Sequence, residues 1–418
     1  MKKVLVLLMA ASVLVTSCDK DAATSGDPTV VKPDELSVSG EVSGTWKKNA
    51  IITVKGDVFV PAGKTLTIEE GVTVVMDTTA KPEFIIHGNL YSVGTKEKPV
   101  KFTVPEAART SKYSFGQLWG GIMASKTCAE LLLDNTILEY GGATTTEASS
   151  SVKQGLYKAA SGERVPALWF SNVAGKLVVQ NSTIRYFGED ATYIEGGNVI
   201  FANNLFNTIG LSGGDGINLK SGVVADVAYN LIYNVNTNGL KLSNAGERTP
   251  QLYIIGYNNT LVNNGWRRPS VKGGSIWVEQ SVNAELYNNL LVNCRFGIKR
   301  DAKKPEDARS VFSNTYYYGY YQDGVNQFQP SAEIIAGKND VIGKTAGDND
   351  PKFVSFPVNT GKESAFNDSW DFRVQAGSPI LGKGITTFKR NFASGITLNG
   401  QLYKSPEPAS YTGAFNVK

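Results

Sequence analysis

Hydrophobic runs along this chain are repeatedly interrupted by asparagine. Residues 252–264 read LYIIGYNNTLVNN, and residues 284–300 read AELYNNLLVNCRFGIKR, so each apolar run ends in one or two asparagines. A buried amide without a hydrogen-bond partner costs about 1 to 3 kcal/mol. A chain that keeps placing asparagine beside apolar residues must therefore satisfy these amides in a regular way.

The polar residue that opens each apolar run recurs along the chain. The spacing is 22 to 30 residues, apart from one interval of 47 residues where the small polar segment 141–165 intervenes. Spacings of 20 to 30 residues are typical of solenoids. The aligned positions are Asn135, Ser182, Asn204, Asn230, Asn259, Asn289 and Asn314.

A second series of short stretches runs in step with the first. ALWF at 167, DGINLK at 215, NGLKLS at 238 and GSIWVE at 274 alternate with period two, which predicts strands. Two or three strands per repeat, without helical periodicity, predict an all-β fold, a parallel β-helix of roughly ten coils with long inserts near 141–165 and 244–273. Since stacked strands lie about 4.8 Å apart, asparagines at one corner of successive coils can form a hydrogen-bonded ladder.

The sequence resembles the right-handed parallel β-helix proteins, particularly the secreted and surface lipoproteins of the Bacteroides group. ITVKGDVFVPAGKTLTIEEGVTVVMD, near the start, is similar to their opening coils. DNDPKFVSF, WDFRVQAGSPILGKG and YTGAF are similar to their closing coils, here near 348–418. The resemblance implies a single β-helix domain over 38–418. The scaffold is shared with pectate-type and alginate-type lyases but does not itself define a function.

The N-terminus predicts export and a lipid anchor. MKKVLVLLMAASVLVTSC has two lysines and an apolar run too short to span a membrane, which indicates a signal peptide over 1–17. VTSC resembles the bacterial lipobox, so Cys18 is the expected lipidation site. The polar segment 18–37 is the expected disordered tether. The charged residues after Cys18 resemble the signal that places such lipoproteins on the outer membrane, facing the exterior.

Composition excludes several other classes of protein. The formal charge of +4 falls to about +2 without the signal peptide, which argues against a nucleic-acid partner. Cys128 and Cys294 match no metal or disulfide pattern and are expected to be buried free thiols. His87 has no evident triad partners and is expected to have a packing role. No cofactor or metal site is predicted.

The candidate binding face follows from the alternation of the second strand series. Trp169 and Trp277 could present flat faces to sugar rings, and the polar members could donate or accept hydrogen bonds. The alternative is that both rings lie beneath the inserts. The outward positions are Met123, Trp169, Tyr193 or its neighbour, Asn218, Lys241, Trp277 and Lys299, of which Trp169, Asn218, Lys241, Trp277 and Lys299 are the predicted glycan-binding residues.

Three functions remain open from sequence. The first is a non-enzymatic surface protein that binds glycan or mediates adhesion. The second is a structural spacer. The third is a polysaccharide lyase acting on uronate polymers, which needs cations and a base. The candidates for those roles are Lys241, Lys299, Arg300, Arg267 and Arg268, of which the first three are favoured.

Hydrolysis by paired carboxylates is less favoured. The acids of the strand series, Asp215, Glu195, Glu279 and Asp301, lie on different coils. Asp215 precedes glycine in GGDGI, which is ordinary turn chemistry.

Overall fold

Each turn of the chain in the computed structural model contains up to three short strands, which lie in three parallel sheets, here called the first, second and third face. The structure describes residues 34–268, 273–357 and 361–418. Strands of consecutive coils pair in parallel and in register along all three faces. The prediction of an all-β, right-handed parallel β-helix is confirmed.

The first face contains ten strands in the described part of the chain, in agreement with roughly ten coils. They are Gly44–Trp46, Thr65–Ile68, Asn89–Val93, Glu130–Asp134, Lys176–Gln180, Gly197–Ala202, Val223–Ala228, Tyr253–Tyr257, Asn283–Tyr287 and Val311–Ser313.

The second and third faces both include the long strand Ile51–Val60, which pairs along both halves with the first strand, Glu35–Glu41, and whose two halves then pair with different strands. The second face also contains Glu35–Glu41, Thr73–Met76, Val100–Thr103, Thr136–Glu139, Thr183–Phe187, Leu205–Ile209, Leu231–Val235, Thr260–Val262, Leu290–Val292 and Tyr316–Tyr318. The third face continues with Phe84–Ile86, Ile122–Ala124, Leu168–Phe170, Thr192–Ile194, Ile217–Leu219, Asn238–Ser243, Gly274–Glu279 and Ile298–Arg300.

The predicted asparagine ladder lies at the corner between the first and second faces. Asn204 Nδ2 donates to Asn230 Oδ1 at 2.9 Å, and Asn230 Nδ2 donates to Asn259 Oδ1 at 2.9 Å. Asn259 Nδ2 donates in turn to Asn289 Oδ1 at 3.0 Å. Each Oδ1 also accepts the backbone N–H of the asparagine before it. The ladder therefore satisfies side chains that are almost fully buried.

The doubled asparagines have two different roles. Asn258 and Asn288 precede ladder residues and adopt φ of +50° and +54°, a left-handed conformation that asparagine tolerates better than most residues. Asn135 and Asn314 also have positive φ. They correspond to this turning position and not to the ladder, so the sequence alignment was displaced by one residue at its two ends.

The inserts differ from each other. Segment 141–165 leaves the stack and contains the short helix Ser150–Lys153. Segment 244–273 is not one insert, because it contains the coil strands Tyr253–Tyr257 and Thr260–Val262. The alternating apolar residues of those strands explain why they stay in the stack.

The two ends of the domain also depart from expectation. The first strand begins at Glu35, before the expected boundary at 38. The region 348–418 does not form further coils of three parallel strands; its strands are two antiparallel pairs. This region packs along the outside of the second face, where Phe353 and Phe356 join the cluster of Leu231 and Val262, and of the first face, where Phe388 stacks on Tyr287 at 4.2 Å between ring centroids. Outward aromatic side chains on that face are thereby covered.

The antiparallel pairs are Phe353–Ser355 with Asp371–Val374 and Ile396–Leu398 with Gln401–Tyr403. The remaining helices are the 3-10 turns Glu106–Ala108 and Ser111–Tyr113 and the α-helix Gln322–Phe328. No helix in the described ranges has the length and apolar character that a membrane crossing requires.

Both thiols of the domain, Cys128 and Cys294, are free and buried, as predicted. The predicted signal peptide, the predicted lipidation site Cys18 and the predicted tether up to residue 33 lie outside the described residues.

Candidate functional site

The predicted outward residues of the third face form one continuous row. Trp169 pairs with Met123 on one side and Tyr193 on the other. The row continues through Asn218, Lys241, Trp277 and Lys299, one residue per coil. Their strand neighbours belong to the interior core and these residues do not, so the alternation derived from sequence was correct.

The row is nevertheless covered for much of its length. Trp169 and Trp277 are only 5% and 4% exposed. Leu156 and Val165 of the insert pack in the same cluster as Trp169, and Tyr157 makes an edge contact with its ring at 6.4 Å between centroids. Neither tryptophan is an open sugar platform here, and the alternative of coverage by segment 141–165 is correct for Trp169. The reason is that a large apolar ring pointing outward gains free energy by burial.

The lysine and arginine at the far end of the row are engaged in ion pairs. Lys299 Nζ lies 3.0 Å from Glu333 Oε2 and 4.1 Å from the centroid of the Phe296 ring. Arg300 Nε donates to Glu306 Oε2 at 3.1 Å. Arg267 donates to the carbonyl oxygens of Gly210, Ile209 and Asn234. These contacts assign the three side chains to holding loops in place.

The middle of the row opens into a cavity of about 360 Å³, here called the central cavity. Lysine, arginine, carboxyl and amide side chains converge on it from several coils and from the insert. Its polar lining includes Tyr157, Lys158, Glu189, Asp190, Tyr193, Asp215, Asn218, Lys220, Lys241 and Arg268. Two of the predicted site residues, Asn218 and Lys241, thus lie together here.

Two acids on adjacent coils form the wall of the central cavity. Asp190 Oδ1 accepts the backbone N–H of Asp215 at 2.7 Å, and Asp215 Oδ1 accepts the backbone N–H of Asn238 at 3.1 Å. Asn218 Nδ2 donates to both carboxyls, at 2.8 and 3.3 Å. Asp190 was not among the acids singled out from sequence, and it meets Asp215 because one coil step is only about 4.8 Å.

The carboxyl groups of Asp190 and Asp215 already accept the hydrogen bonds just described. Burial, followed by the neighbouring Asp215, raises the pKa of Asp190, and burial followed by Asp190 raises the pKa of Glu189. Lys241 Nζ lies 3.7 Å from Asp215 Oδ2, and this carboxylate raises the pKa of Lys241. We interpret Asp190 and Asp215 as a support that positions Asn218 and Lys241 and not as a hydrolytic pair.

Lys220 is the most unusual charged group of the central cavity. It is only 6% exposed, and no described residue forms an ion pair with it. Its Nζ lies 5.2 Å from the centroid of the Tyr193 ring. Burial, followed by the positive charge of Lys241, lowers the pKa of Lys220 to about 8. A buried ammonium without a carboxylate partner is costly to the fold and is a recognised mark of a functional site.

Lys220 belongs to a second outward row that sequence analysis missed. His87, Ser125, Ser171, Glu195 and Lys220 each follow the last strand residue of their coil. The backbone N–H of each donates to a carbonyl of the preceding coil. The signal was present in the sequence: the residue directly after each apolar strand residue is polar in five coils.

This second row borders another cavity, of about 440 Å³, here called the histidine cavity. His87 Nδ1 lies 2.9 Å from Ser125 Oγ, and His87 Nε2 lies 2.8 Å from Gln154 Oε1 of the insert. These two hydrogen-bond partners of His87 were not predicted from sequence, since Gln154 lies 67 positions along the chain. Glu195 and Arg248 pair on the other side, and Trp169 Nε1 donates to Glu195 at 2.8 Å.

Within the described ranges, no group of three or more histidine, cysteine or acidic side chains has the arrangement to hold a metal ion.

Comparisons with protein-family models, with curated proteins and with solved structures gave no match for this chain.

Proposed function

We propose that this protein binds an acidic glycan, one that carries carboxylate-bearing sugars, in the central cavity. The observation that carries the proposal is Lys220: a buried ammonium that lines a cavity and has no described carboxylate within ion-pair distance, although Asp215, Asp190 and Glu279 act on it from farther away. A carboxylate ligand would supply that partner. A charge-assisted hydrogen bond to a buried ammonium is about twice as strong as a neutral one.

The surroundings of Lys220 suit a sugar acid. Lys241 and Arg268 line the same cavity and add positive charge. Asn218 lines the cavity beside these cations, and its buried Oδ1 has no hydrogen-bond partner in the described structure. Binding sites of this kind combine a concave surface with a few convergent polar groups.

Calorimetry with an oligomer of a uronic acid and with the matching neutral hexose oligomer tests this proposal. We expect binding of the acidic oligomer only, with an affinity that falls as salt is added. Lys220→Met should weaken binding about tenfold or more, because a hydrogen bond to a charged group contributes about 1.5 to 3 kcal/mol. Lys101→Met, an exposed lysine on the second face, is the control. Equal affinity for the neutral oligomer would contradict the proposal.

A second candidate function is cleavage of the same polymer by β-elimination. This reaction needs a cation beside the uronate carboxylate and a base for the neighbouring proton. Lys241 offers the first, and Lys220, with a pKa near 8, offers the second. Lys299 and Arg300, the other residues predicted for this role, are held by Glu333 and Glu306. Ultraviolet absorbance from an unsaturated product distinguishes cleavage from binding, and the absence of both would favour a structural spacer.

We further propose that the protein is an outer-membrane surface lipoprotein similar to those of the Bacteroides group, anchored through Cys18. Support comes from the signal-like segment before Cys18, the lipobox-like residues and the charged residues that follow. A surface address suits a protein that meets glycan polymers. Cys18→Ser should move the protein from the membrane fraction to the soluble fraction, and accessibility of the wild type to added protease on intact cells tests its orientation.

A further inference from the structure

We propose that Ser125 and His87 form a nucleophile and base that cleave a carboxylic ester in the histidine cavity. The diagnostic arrangement for such a pair is a hydroxyl within hydrogen-bond reach of a base that a third group orients. Ser125 Oγ lies 2.9 Å from His87 Nδ1, and His87 Nε2 lies 2.8 Å from Gln154 Oε1. All three residues line one cavity of about 440 Å³.

The fold brings these groups together by stacking. Ile86 and Ala124 pair across adjacent coils of the third face, so the residues that follow them, His87 and Ser125, lie side by side. Gln154 comes from the insert just after the helix Ser150–Lys153. That helix is fastened to the coils by Ser151, whose backbone N–H and hydroxyl donate to Glu83 at 2.7 and 2.6 Å. The contacts of Ser151 therefore hold the helix that precedes Gln154 in place.

The hydrogen bonds favour Nδ1 of His87 as the base, and Ser125 Oγ also lies 2.9 Å from Thr127 Oγ1. With Gln154 Oε1 accepting from Nε2–H, Nδ1 carries a lone pair and can accept the hydroxyl proton of Ser125. The hydroxyl of Thr127 donates to the carbonyl oxygen of His87 at 2.8 Å. The backbone N–H of Thr127 faces Ser125 Oγ at 3.4 Å, which places a backbone donor beside the nucleophile.

The reaction balances with water as the only co-reactant. Ser125 Oγ bonds to the acyl carbon while its proton passes to His87 Nδ1. The bond from the acyl carbon to the alcohol oxygen breaks, and His87 returns the proton to that oxygen. Water then attacks the acyl-serine by the same proton transfer, which releases the carboxylic acid and restores Ser125.

The ester class follows from the nucleophile and base alone, whereas a sugar as the alcohol part depends on the proposed function. The two cavities lie on the same face and share Tyr157 as a lining residue. A glycan bound in the central cavity could therefore present an O-acyl group to Ser125. Small esters test the chemistry without the glycan, so failure here leaves the binding proposal intact, and failure of binding leaves this one intact.

Labelling of the folded protein with a fluorophosphonate probe, followed by peptide mapping, is the first test. We expect the label on Ser125 and hydrolysis of 4-nitrophenyl acetate that Ser125→Ala abolishes. His87→Asn, which keeps an amide near the position of Nδ1 but offers no base, should slow labelling roughly 10²-fold to 10⁴-fold.

Ser171→Ala is the matched control, because Ser171 lines the same cavity but its hydroxyl donates to the carbonyl oxygen of Ala124 and has no base. It should label and hydrolyse like the wild type. Gln154 is a positioning residue: Gln154→Leu should slow labelling and change its pH profile, and Gln154→Glu should restore the rate. An unlabelled wild type, a label on another residue, or ester hydrolysis that persists in Ser125→Ala would overturn the proposal.

Discussion

Replacing Lys220 by methionine should stabilise the fold at pH 7 while it weakens ligand binding. The folded-state pKa of Lys220 is lowered from 10.5 to about 8, mainly by burial. At about 1.4 kcal/mol for each tenfold change in proton affinity, the charged lysine costs the folded state about 3 kcal/mol at neutral pH. Methionine has a similar shape and no charge to bury, so up to that amount should be recovered.

The stability gained by Lys220→Met should depend on pH in a definite direction. Because the folded pKa is depressed, the unfolded state binds more protons between about pH 8 and 10.5, and stability rises with pH in that window. The cost of burying the Lys220 charge is therefore absent above pH 10.5, grows as the pH falls, and is fully present below about pH 8. The advantage of Lys220→Met should therefore be largest below pH 8 and should shrink toward pH 10.5.

Lys241 provides a control of opposite sign within the same cavity. Asp215 raises its pKa above the ordinary value, so its charge favours the folded state and Lys241→Met should lower stability at pH 7. Denaturant midpoints of the wild type and both variants, measured from pH 7 to 10, provide the comparison. A Lys220→Met protein less stable than the wild type at pH 7, or a gap that does not change with pH, would refute the reasoning.

Three further predictions concern the fold. Asn259→Leu should lower the free energy of unfolding by at least about 1 to 3 kcal/mol, because the backbone N–H of Asn230 loses its partner; the exposed Asn198→Leu is the control, and equal denaturant midpoints would place Asn259 outside the ladder. Trp169→Ala should cost about 3 to 5 kcal/mol, since the ring is 5% exposed; a normal melting temperature would mean that the ring faces solvent. Thiol titration of the denatured, unreduced domain should find Cys128 and Cys294 both free, and a crosslinked peptide between them would contradict the coil order.

The sequence predicted the fold well because the fold is a repeat. One residue per coil recurs at the same corner, so a single alignment located the ladder of Asn204, Asn230, Asn259 and Asn289 before any coordinates. The same alternation located the row from Met123 to Lys299. Errors arose where the register was judged from residue type alone, as at Asn135, which resembles a ladder residue but turns the chain.

Exposure could not be predicted in the same way. Alternation states that Trp169 points away from the interior, but whether solvent or another segment meets it depends on where segment 141–165 folds. That segment is held by contacts distant in sequence, such as Ser151 with Glu83, 68 positions away. Ser125 and Gln154 were missed for the same reason, since the partners of His87 are adjacent only after the coils have stacked and the insert has packed on them.

The outward residues of the third face change from apolar to polar along its length, and this change determines where the polar cavity lies. Near its start the outward row is apolar, with Ile85, Met123 and Trp169 covered by the insert. Two and three coils after Trp169 the row is polar, with Asn218 and Lys241. Beside this row, Lys220 of the second row is buried; a leucine there would satisfy the stacking as well and would avoid burying a charge, so the fold alone does not explain Lys220. Where a repetitive scaffold keeps a buried, unpaired ammonium in a cavity, the cost to stability is itself the argument that something outside the chain completes the site.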